Sequence, residues 1–161
     1  MLEALKSLAV SWGSIYSNHA VLRTAVTFAH IGGLVGAGGA AVTIDRGILA
    51  AHRHDEVERR FLFTSLQNTH AVVLAGLALV FISGVLLFAA DVDTYVGSRL
   101  FWTKMVLVVL LMVNGAIMTA AERRIARRGH ASWGTLRWTA IASLALWLLT
   151  TLSGTGLLNI G

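Results

Sequence analysis

The sequence of 161 residues contains no cysteine and no proline, and only 13% of its residues are charged. The lack of cysteine excludes disulfides, thiolate metal sites and thiol chemistry. The lack of proline leaves the helices without the residue that most often kinks them. A soluble domain has about a quarter of its residues charged. The low charge content, together with 56% hydrophobic residues, therefore indicates an integral membrane protein.

Four long apolar runs account for this composition. A helix needs roughly 20 apolar residues to cross about 30 Å of hydrocarbon, and the runs predict spans near residues 21–42, 69–90, 100–121 and 138–158. The first helix is expected to continue to Ala51. Because the connections between spans are short, consecutive helices should be antiparallel neighbours. The whole chain, residues 1–161, is thus predicted to form a single all-α transmembrane domain, a four-helix up-down bundle.

The segment before the first span is not a cleavable signal peptide, since it lacks a basic start and a continuous apolar core. Apolar residues nevertheless recur in it at helical spacing. They are Leu2, Leu5, Ala9, Trp12 and Tyr16. This pattern predicts a short helix over residues 1–16 that lies in the membrane interface, where tryptophan and tyrosine are favoured. A frayed terminus is the alternative.

The distribution of lysine and arginine predicts the orientation of the bundle. The loops after the first and third spans, with their flanks, hold nine basic residues: Arg46, Arg53, Arg59, Arg60, Arg123, Arg124, Arg127, Arg128 and Arg137. The opposite side holds four: Lys6, Arg23, Arg99 and Lys104. The positive-inside rule places the richer side in the cytoplasm, so both termini face the periplasm of a bacterial inner membrane. The net charge of +5 is then explained by the membrane surface and not by nucleic acid.

Ionisable residues within spans are costly and usually functional, and three such candidates are His30, His70 and Lys104. At about 1.5 Å per residue, His30 and Lys104 should lie at similar depth in the outer half of the bundle. His70 should lie near the cytoplasmic end, on the order of 15–20 Å from His30 along the membrane normal. The two histidines are therefore expected to mark separate sites. Asn114 is interpreted as an interhelical hydrogen-bond donor, and no proton-carrying carboxylate is expected in any span.

A run of small residues follows His30, and it includes Gly32, Gly33, Gly36, Gly38 and Gly39. In one interpretation, the GxxxG spacing of Gly32 and Gly36 lets two helix backbones approach closely. In the other, the missing side chains leave room for a flat macrocycle beside His30. Inward-facing side chains of helix bundles hold cofactors, and histidine is a common axial ligand of haem iron. The sequence therefore suggests a b-type haem on His30.

These features resemble those of the HemJ-type bacterial membrane protoporphyrinogen oxidases and the related copper-resistance D membrane proteins. In the HemJ-type proteins a histidine early in a span is followed by small residues, a Pro-Arg pair and a second histidine. Here His30 is followed by the glycine run, Asp45-Arg46 and His52. Asp45 thus stands where the group has proline.

The resemblance extends over roughly residues 24–128. Residues 55–67, "DEVERRFLFTSLQ", look like the charged cytoplasmic linker of that group. Residues 102–111, "WTKMVLVVLL", are similar to its Lys-Leu-x-Leu-Val segment. This similarity assigns the functional lysine of the family to Lys104.

The resemblance implies a haem b carried on His30, with Lys104 as a second ligand or as the charge partner of a propionate. Arg46 and the other cytoplasmic arginines would hold other anionic groups. With one haem, the protein would oxidise a substrate, such as a porphyrin, or pass electrons to quinone. With a second haem on His70, electrons would cross the bilayer.

Two other functions are compatible with the sequence. In a copper or other metal transporter, His30 and His70 would be metal ligands, with Met105 and Met112 on one face of the third span; core packing is the alternative role of these methionines. A non-catalytic accessory subunit of a larger membrane complex, or a homo-oligomer, is the third possibility. A hydrolase is not expected, since no serine or carboxylate pairs with a histidine at a recognisable catalytic spacing.

Overall fold

The fold is seen in a computed structural model that describes residues 2–51, 69–128 and 133–159. These residues form six helices: α1 (Leu2–Asn18), α2 (Ala20–Ala51), α3 (Thr69–Ala90), α4 (Val92–Gly97), α5 (Arg99–Arg128) and α6 (Trp133–Leu158). No strand occurs within the described ranges, so the predicted all-α class is confirmed. His52 and the charged linker 55–67 lie outside the described residues.

Four of the helices, α2, α3, α5 and α6, are long and apolar enough to cross a membrane. Many of their large apolar side chains point outward, and Phe28, Phe81, Trp138 and Leu148 are all at least 70% exposed. Such a surface is unfavourable in water but suits lipid. The four predicted spans and the multi-pass membrane character are therefore confirmed. The predicted periplasmic location of both termini stays a prediction.

The helices are longer than the predicted spans at three points. The expected continuation of α2 to Ala51 is confirmed, while α5 runs to Arg128 and α6 begins at Trp133. Residues 122–128, "ERRIARR", continue α5 because glutamate, arginine and alanine are good helix formers even where they are too polar for hydrocarbon. Apolarity predicts where a helix enters lipid, and helix propensity decides where the helix ends.

The spans pack mainly as α2 against α3 and α5 against α6, and α2 also contacts α6. The approach of α2 and α3 is close because small residues meet there. A Cβ built on Gly76 of α3 would lie 2.8 Å from the Cβ of Ala37, and one on Gly33 would lie 3.0 Å from the Gly76 carbonyl oxygen. This contact holds α2 and α3 backbone against backbone.

Two apolar clusters form the interior. The first joins Ala37 and Ala41 of α2 to Trp147 of α6. The second lies further along α2 and consists of Ile44, Ile48, Met118, Ala121, Leu136 and Ala140. The exposed arginines Arg46, Arg123, Arg124 and Arg137 lie at the same end as this second cluster, which is called the basic end below.

The N-terminal segment is helical, so the frayed terminus is excluded for residues 2–18. The indole Nε1 of Trp12 donates a hydrogen bond to the Leu86 carbonyl oxygen at 2.8 Å, and α1 packs against α3 and α2. Trp12, one of the residues whose spacing predicted this helix, therefore attaches α1 to α3. The interfacial location of α1 stays a prediction.

The sequence analysis missed the short helix α4, which lies between the second and third spans. Asp91 caps it, accepting a hydrogen bond from the Thr94 backbone N–H at 3.4 Å. Tyr95 on α4 packs against the rings of Phe88 and Phe101, with ring centroids 6.4 and 5.6 Å away, and these two rings stack on each other at 5.4 Å. An Asp at the start of a short polar connection was a recognisable capping signal.

Tyr95 gives the fold a predicted sensitivity to alkaline pH. Burial, and secondarily the charges of Asp91 and Tyr16, raise the pKa of Tyr95 above its ordinary value of 10.0. Above pH 10 the unfolded chain loses the phenolic proton while the folded chain keeps it. The free energy of unfolding must then fall as pH rises from about 10 towards the folded-state pKa.

We expect Tyr95→Phe to lose less stability than the unsubstituted protein between pH 9 and pH 11. Thermal unfolding in detergent across this range measures the difference. The same comparison near pH 7 is the control, because Tyr95 is protonated there in both states. Parallel alkaline losses in the two proteins would contradict the prediction.

Candidate functional site

His30 lies on α2 and contacts α3 through a hydrogen bond between spans. Its Nδ1 is 3.0 Å from the Ser83 hydroxyl oxygen. Ser83 is buried, and its Oγ lies 2.6 Å from the Leu79 carbonyl oxygen and 3.2 Å from that of Val80. His30 is therefore attached through Ser83 to the backbone of α3.

The hydrogen bonds around Ser83 favour one tautomer of His30. Ser83 has one hydroxyl proton, and the 2.6 Å distance to the Leu79 oxygen is the shorter of its contacts, so that proton goes to the carbonyl. Nδ1 of His30 must then donate its own N–H to the Ser83 oxygen. In a neutral imidazole this leaves Nε2 unprotonated, with a lone pair available to a metal ion.

Lys104 on α5 joins His30 at the same depth. It is partly buried and close enough to His30 for their charges to interact. Its Nζ packs against α6, where a Cβ built on Gly154 would lie 3.4 Å away. The predicted common depth of His30 and Lys104 is thus confirmed, and the pair is called the His30–Lys104 cluster below.

Glycines adjoin both residues of this cluster. A Cβ on Gly84 of α3 would stand 3.3 Å from Cε1 of His30, just as one on Gly154 would stand 3.4 Å from the Lys104 amine. The helix facing each polar residue therefore contributes no side chain at the point of contact. Each span takes part in one of these two contacts: α2 and α5 supply the polar groups, and α3 and α6 supply the glycines.

The expectation that the glycine run of α2 leaves room beside His30 is wrong for its three exposed members. Gly32, Gly36 and Gly39 follow His30 by two, six and nine residues, which at 3.6 residues per turn places them on the far side of the helix. A Cβ built on any of them would meet nothing within 4 Å. The Gly32–Gly36 GxxxG pair therefore contacts none of the described residues of the other helices, and the close approach uses Gly33 and Ala37 instead.

The other two predicted site residues do not join the cluster. His70 lies at the start of α3, thirteen residues from Ser83, so about 20 Å separates the two along the helix axis. Arg46 is exposed and lies sixteen residues from His30 along α2, about 24 Å. His30 and His70 therefore belong to different levels of the bundle, as predicted, and Arg46 is not part of the His30 site.

A second polar group, which the sequence analysis missed, lies at the basic end. Asp45 of α2 is 1% exposed, Ser143 of α6 hydrogen-bonds to its carboxyl group, and Glu122 of α5 is close enough for their charges to interact. No proton-carrying carboxylate was expected in the predicted spans, and Asp45 lies beyond the first of them, residues 21–42. It is buried on the part of α2 that continues to Ala51. The continuation of the helix to Ala51 was the available signal.

Other polar and sulfur-containing residues of the spans have structural roles. Asn114 donates from Nδ2 to the Thr139 carbonyl oxygen at 3.0 Å, which confirms its predicted role between helices. Met112 is 67% exposed and Met118 is buried in the core. Among the described residues, no group of three His, Asp or Glu side chains could hold a metal ion, so these residues give no support to the copper site.

The His30–Lys104 cluster thus offers an imidazole lone pair, an amine and a glycine-lined contact on each facing helix. This donor set fits a haem iron, for which nitrogen ligands are common. Comparison of the chain with models of known families, with characterised proteins and with solved structures found no match.

Proposed function

We propose that this chain is a small membrane haem b protein in which His30 is an axial ligand. The hydrogen bond from His30 to Ser83 is the observation that carries the proposal, because it presents Nε2 as the free nitrogen. Metal-ligating histidines generally donate their other N–H to a fixed acceptor, which sets the ring orientation and the tautomer. Ser83 is that acceptor here, and its own bond to the Leu79 carbonyl keeps it in place.

Lys104 adds the second polar group that such a site requires. As a neutral amine it would be a second ligand, and as an ammonium it would pair with a propionate. The end of its side chain lies beside Gly154 of α6, where no other side chain of the described residues competes for the space. A lysine held within spans is costly unless it has a function or a partner, which supports a role for this one.

When bound, haem b would supply a one-electron donor and acceptor. The chain's own residues would set its position: Ser83 orients His30, Lys104 contributes charge, and the apolar spans exclude water. The outward faces of these spans are apolar, so an electron partner that dissolves in lipid, such as a quinone or a porphyrin, has direct access. A bacterial inner membrane is the proposed location.

The optical spectrum of the purified protein tests this proposal. After expression with haem supplied, we expect a Soret band that shifts on reduction, together with iron in metal analysis. A colourless protein would overturn the proposal. Copper without iron would identify the metal transporter instead, and a colourless protein that co-purifies with fixed partners would identify an accessory subunit.

Removal of the Ser83 hydroxyl tests the argument about the tautomer. We expect Ser83→Ala to lower the affinity for haem by roughly 10- to 100-fold, the usual loss when a metal ligand loses its hydrogen-bonding partner. Haem titration monitored at the Soret band measures this. Ser17→Ala is the control, since Ser17 is exposed on α1 and its hydroxyl donates to the Ser14 carbonyl oxygen of the same helix. Equal haem affinity in the two variants would show that Ser83 does not orient a ligand.

A further inference from the structure

Asp45 is the most deeply buried carboxyl group among the described residues, and one of its two carboxyl oxygens lacks a hydrogen-bond partner. Its side chain is 1% exposed. Ser143 hydrogen-bonds to the carboxyl group, but no donor or acceptor of the described residues lies within hydrogen-bonding distance of Oδ2. A buried charge that is not fully hydrogen-bonded is strongly disfavoured. A bound proton removes that charge.

The neighbours of Asp45 favour the same conclusion. From α5 the facing titratable group is Glu122, whose charge has the same sign and disfavours a second carboxylate. From α6 the facing polar group is Ser143, which is neutral. The described side chains of α3, over residues 72–90, include no titratable group.

Arg46 is the charged residue that would oppose protonation. It follows Asp45 directly in α2, but its side chain is exposed whereas that of Asp45 is buried. Successive residues of a helix point about 100° apart, and a charge in solvent is screened by water and salt. Burial and the carboxylate of Glu122 therefore outweigh the arginine.

We propose that Asp45 is a proton-binding site at the basic end of the bundle, separate from the His30–Lys104 cluster. Ser143 hydrogen-bonds to its carboxyl group, and Glu122 is the neighbouring like charge. The carboxylate takes up one proton on Oδ2 to become a neutral carboxylic acid. Asp45 and His30 are fifteen residues apart on α2, about 22 Å. The proton site therefore does not depend on whether haem binds at His30.

Infrared spectroscopy of the purified haem-free protein tests this site. We expect the C=O stretching band of a protonated carboxylic acid at pH 5, where exposed carboxyl groups are mostly ionised, with a shift to lower frequency in D₂O. Asp45→Asn should remove the band. Asp93→Asn is the matched control, because Asp93 is an exposed aspartate of α4, and it should leave the band unchanged. Glu122→Gln should move the titration of the band to lower pH, since it removes a like charge.

Three results would overturn the proposal. One is the absence of the band from the unsubstituted protein at pH 5. Another is its persistence in Asp45→Asn, or its loss in Glu122→Gln alone, which would put the proton on another carboxyl group. The third is loss of the band on addition of Na⁺ or Ca²⁺, which would make a cation the ligand. If Asp45→Asn does not fold, the band and its shift in Glu122→Gln still decide the outcome.

Discussion

Replacement of His30 by alanine is expected to abolish the Soret band of the haem-loaded protein while the helices remain folded. His30 is held by a neighbouring helix, because its Nδ1 bonds to the buried hydroxyl of Ser83. Removing this ligand should lower the amount of bound haem by at least about tenfold, because loss of even an outer-shell partner has that effect. Absorbance at the Soret band relative to protein concentration measures it.

The matched control for this variant is His19→Ala. His19 precedes α2, is exposed, and has its Nδ1 2.9 Å from the Ile15 carbonyl oxygen, within its own stretch of chain. We expect this variant to bind as much haem as the unsubstituted protein. Unchanged circular dichroism and elution volume in detergent establish that both variants fold. A full Soret band in folded His30→Ala would exclude His30 as an axial ligand.

The role of Lys104 can be separated from that of His30 in the same measurement. If Lys104 is a ligand, Lys104→Gln should change the position of the absorption bands. If it pairs with a propionate, the bands should stay in place while haem affinity falls. Both outcomes rest on the closeness of Lys104 to His30, and an unchanged spectrum with unchanged affinity would remove Lys104 from the site.

The sequence was sufficient for the spans and for the common depth of His30 and Lys104, because both follow from the length of apolar runs and the rise of a helix. It was not sufficient for Ser83. A serine in an apolar run usually bonds back to its own helix, and only the packing of α2 on α3 reveals that this one also holds His30. Three-dimensional packing, which no local pattern encodes, decides such pairs.

The prediction for the glycine run and the oversight of Asp45 have a common origin, which is the direction in which residues of α2 face. Gly32 and Gly36 lie in a recognised packing motif but face away from the rest of the chain. Asp45 was noted only as the residue that stands in place of the family's proline, but it faces inward. Residues 33, 37, 41, 45 and 48 recur at spacings of three and four and all are buried. That spacing was visible in the sequence, and it places Asp45 on the packed face of α2.

The packed face of α2 also gives the largest expected effect on stability. An added methyl group at Gly76 would lie 2.8 Å from the Ala37 Cβ and 3.0 Å from both the Ala37 nitrogen and the Gly33 carbonyl oxygen. These are backbone atoms or atoms fixed to the backbone, so no side chain can rotate away. We expect Gly76→Ala to destabilise the bundle by about 1–3 kcal/mol, the usual effect of overpacking, and Gly76→Val to do so more strongly.

Gly115→Ala is the control that separates packing from helix propensity. Gly115 lies on α5 and an added Cβ would meet nothing within 4 Å. Alanine favours a helix over glycine by about 1 kcal/mol, so this variant should be as stable as the unsubstituted protein or slightly more stable. Titration with a denaturing detergent, monitored by circular dichroism, measures both variants. Equal stability of Gly76→Ala and Gly115→Ala would show that α2 and α3 are not in backbone contact.

Gly76→Ala should also affect the His30–Lys104 cluster. His30 of α2 bonds to Ser83 of α3 about two turns from Gly76, so an added methyl group at Gly76 that separates the two helices must lengthen the 3.0 Å bond. Gly76→Ala is therefore expected to weaken haem binding as well as the fold, whereas Gly115→Ala should affect neither. A Gly76→Ala protein that is destabilised but binds haem normally would mean that the close packing of α2 and α3 and the orientation of His30 are independent.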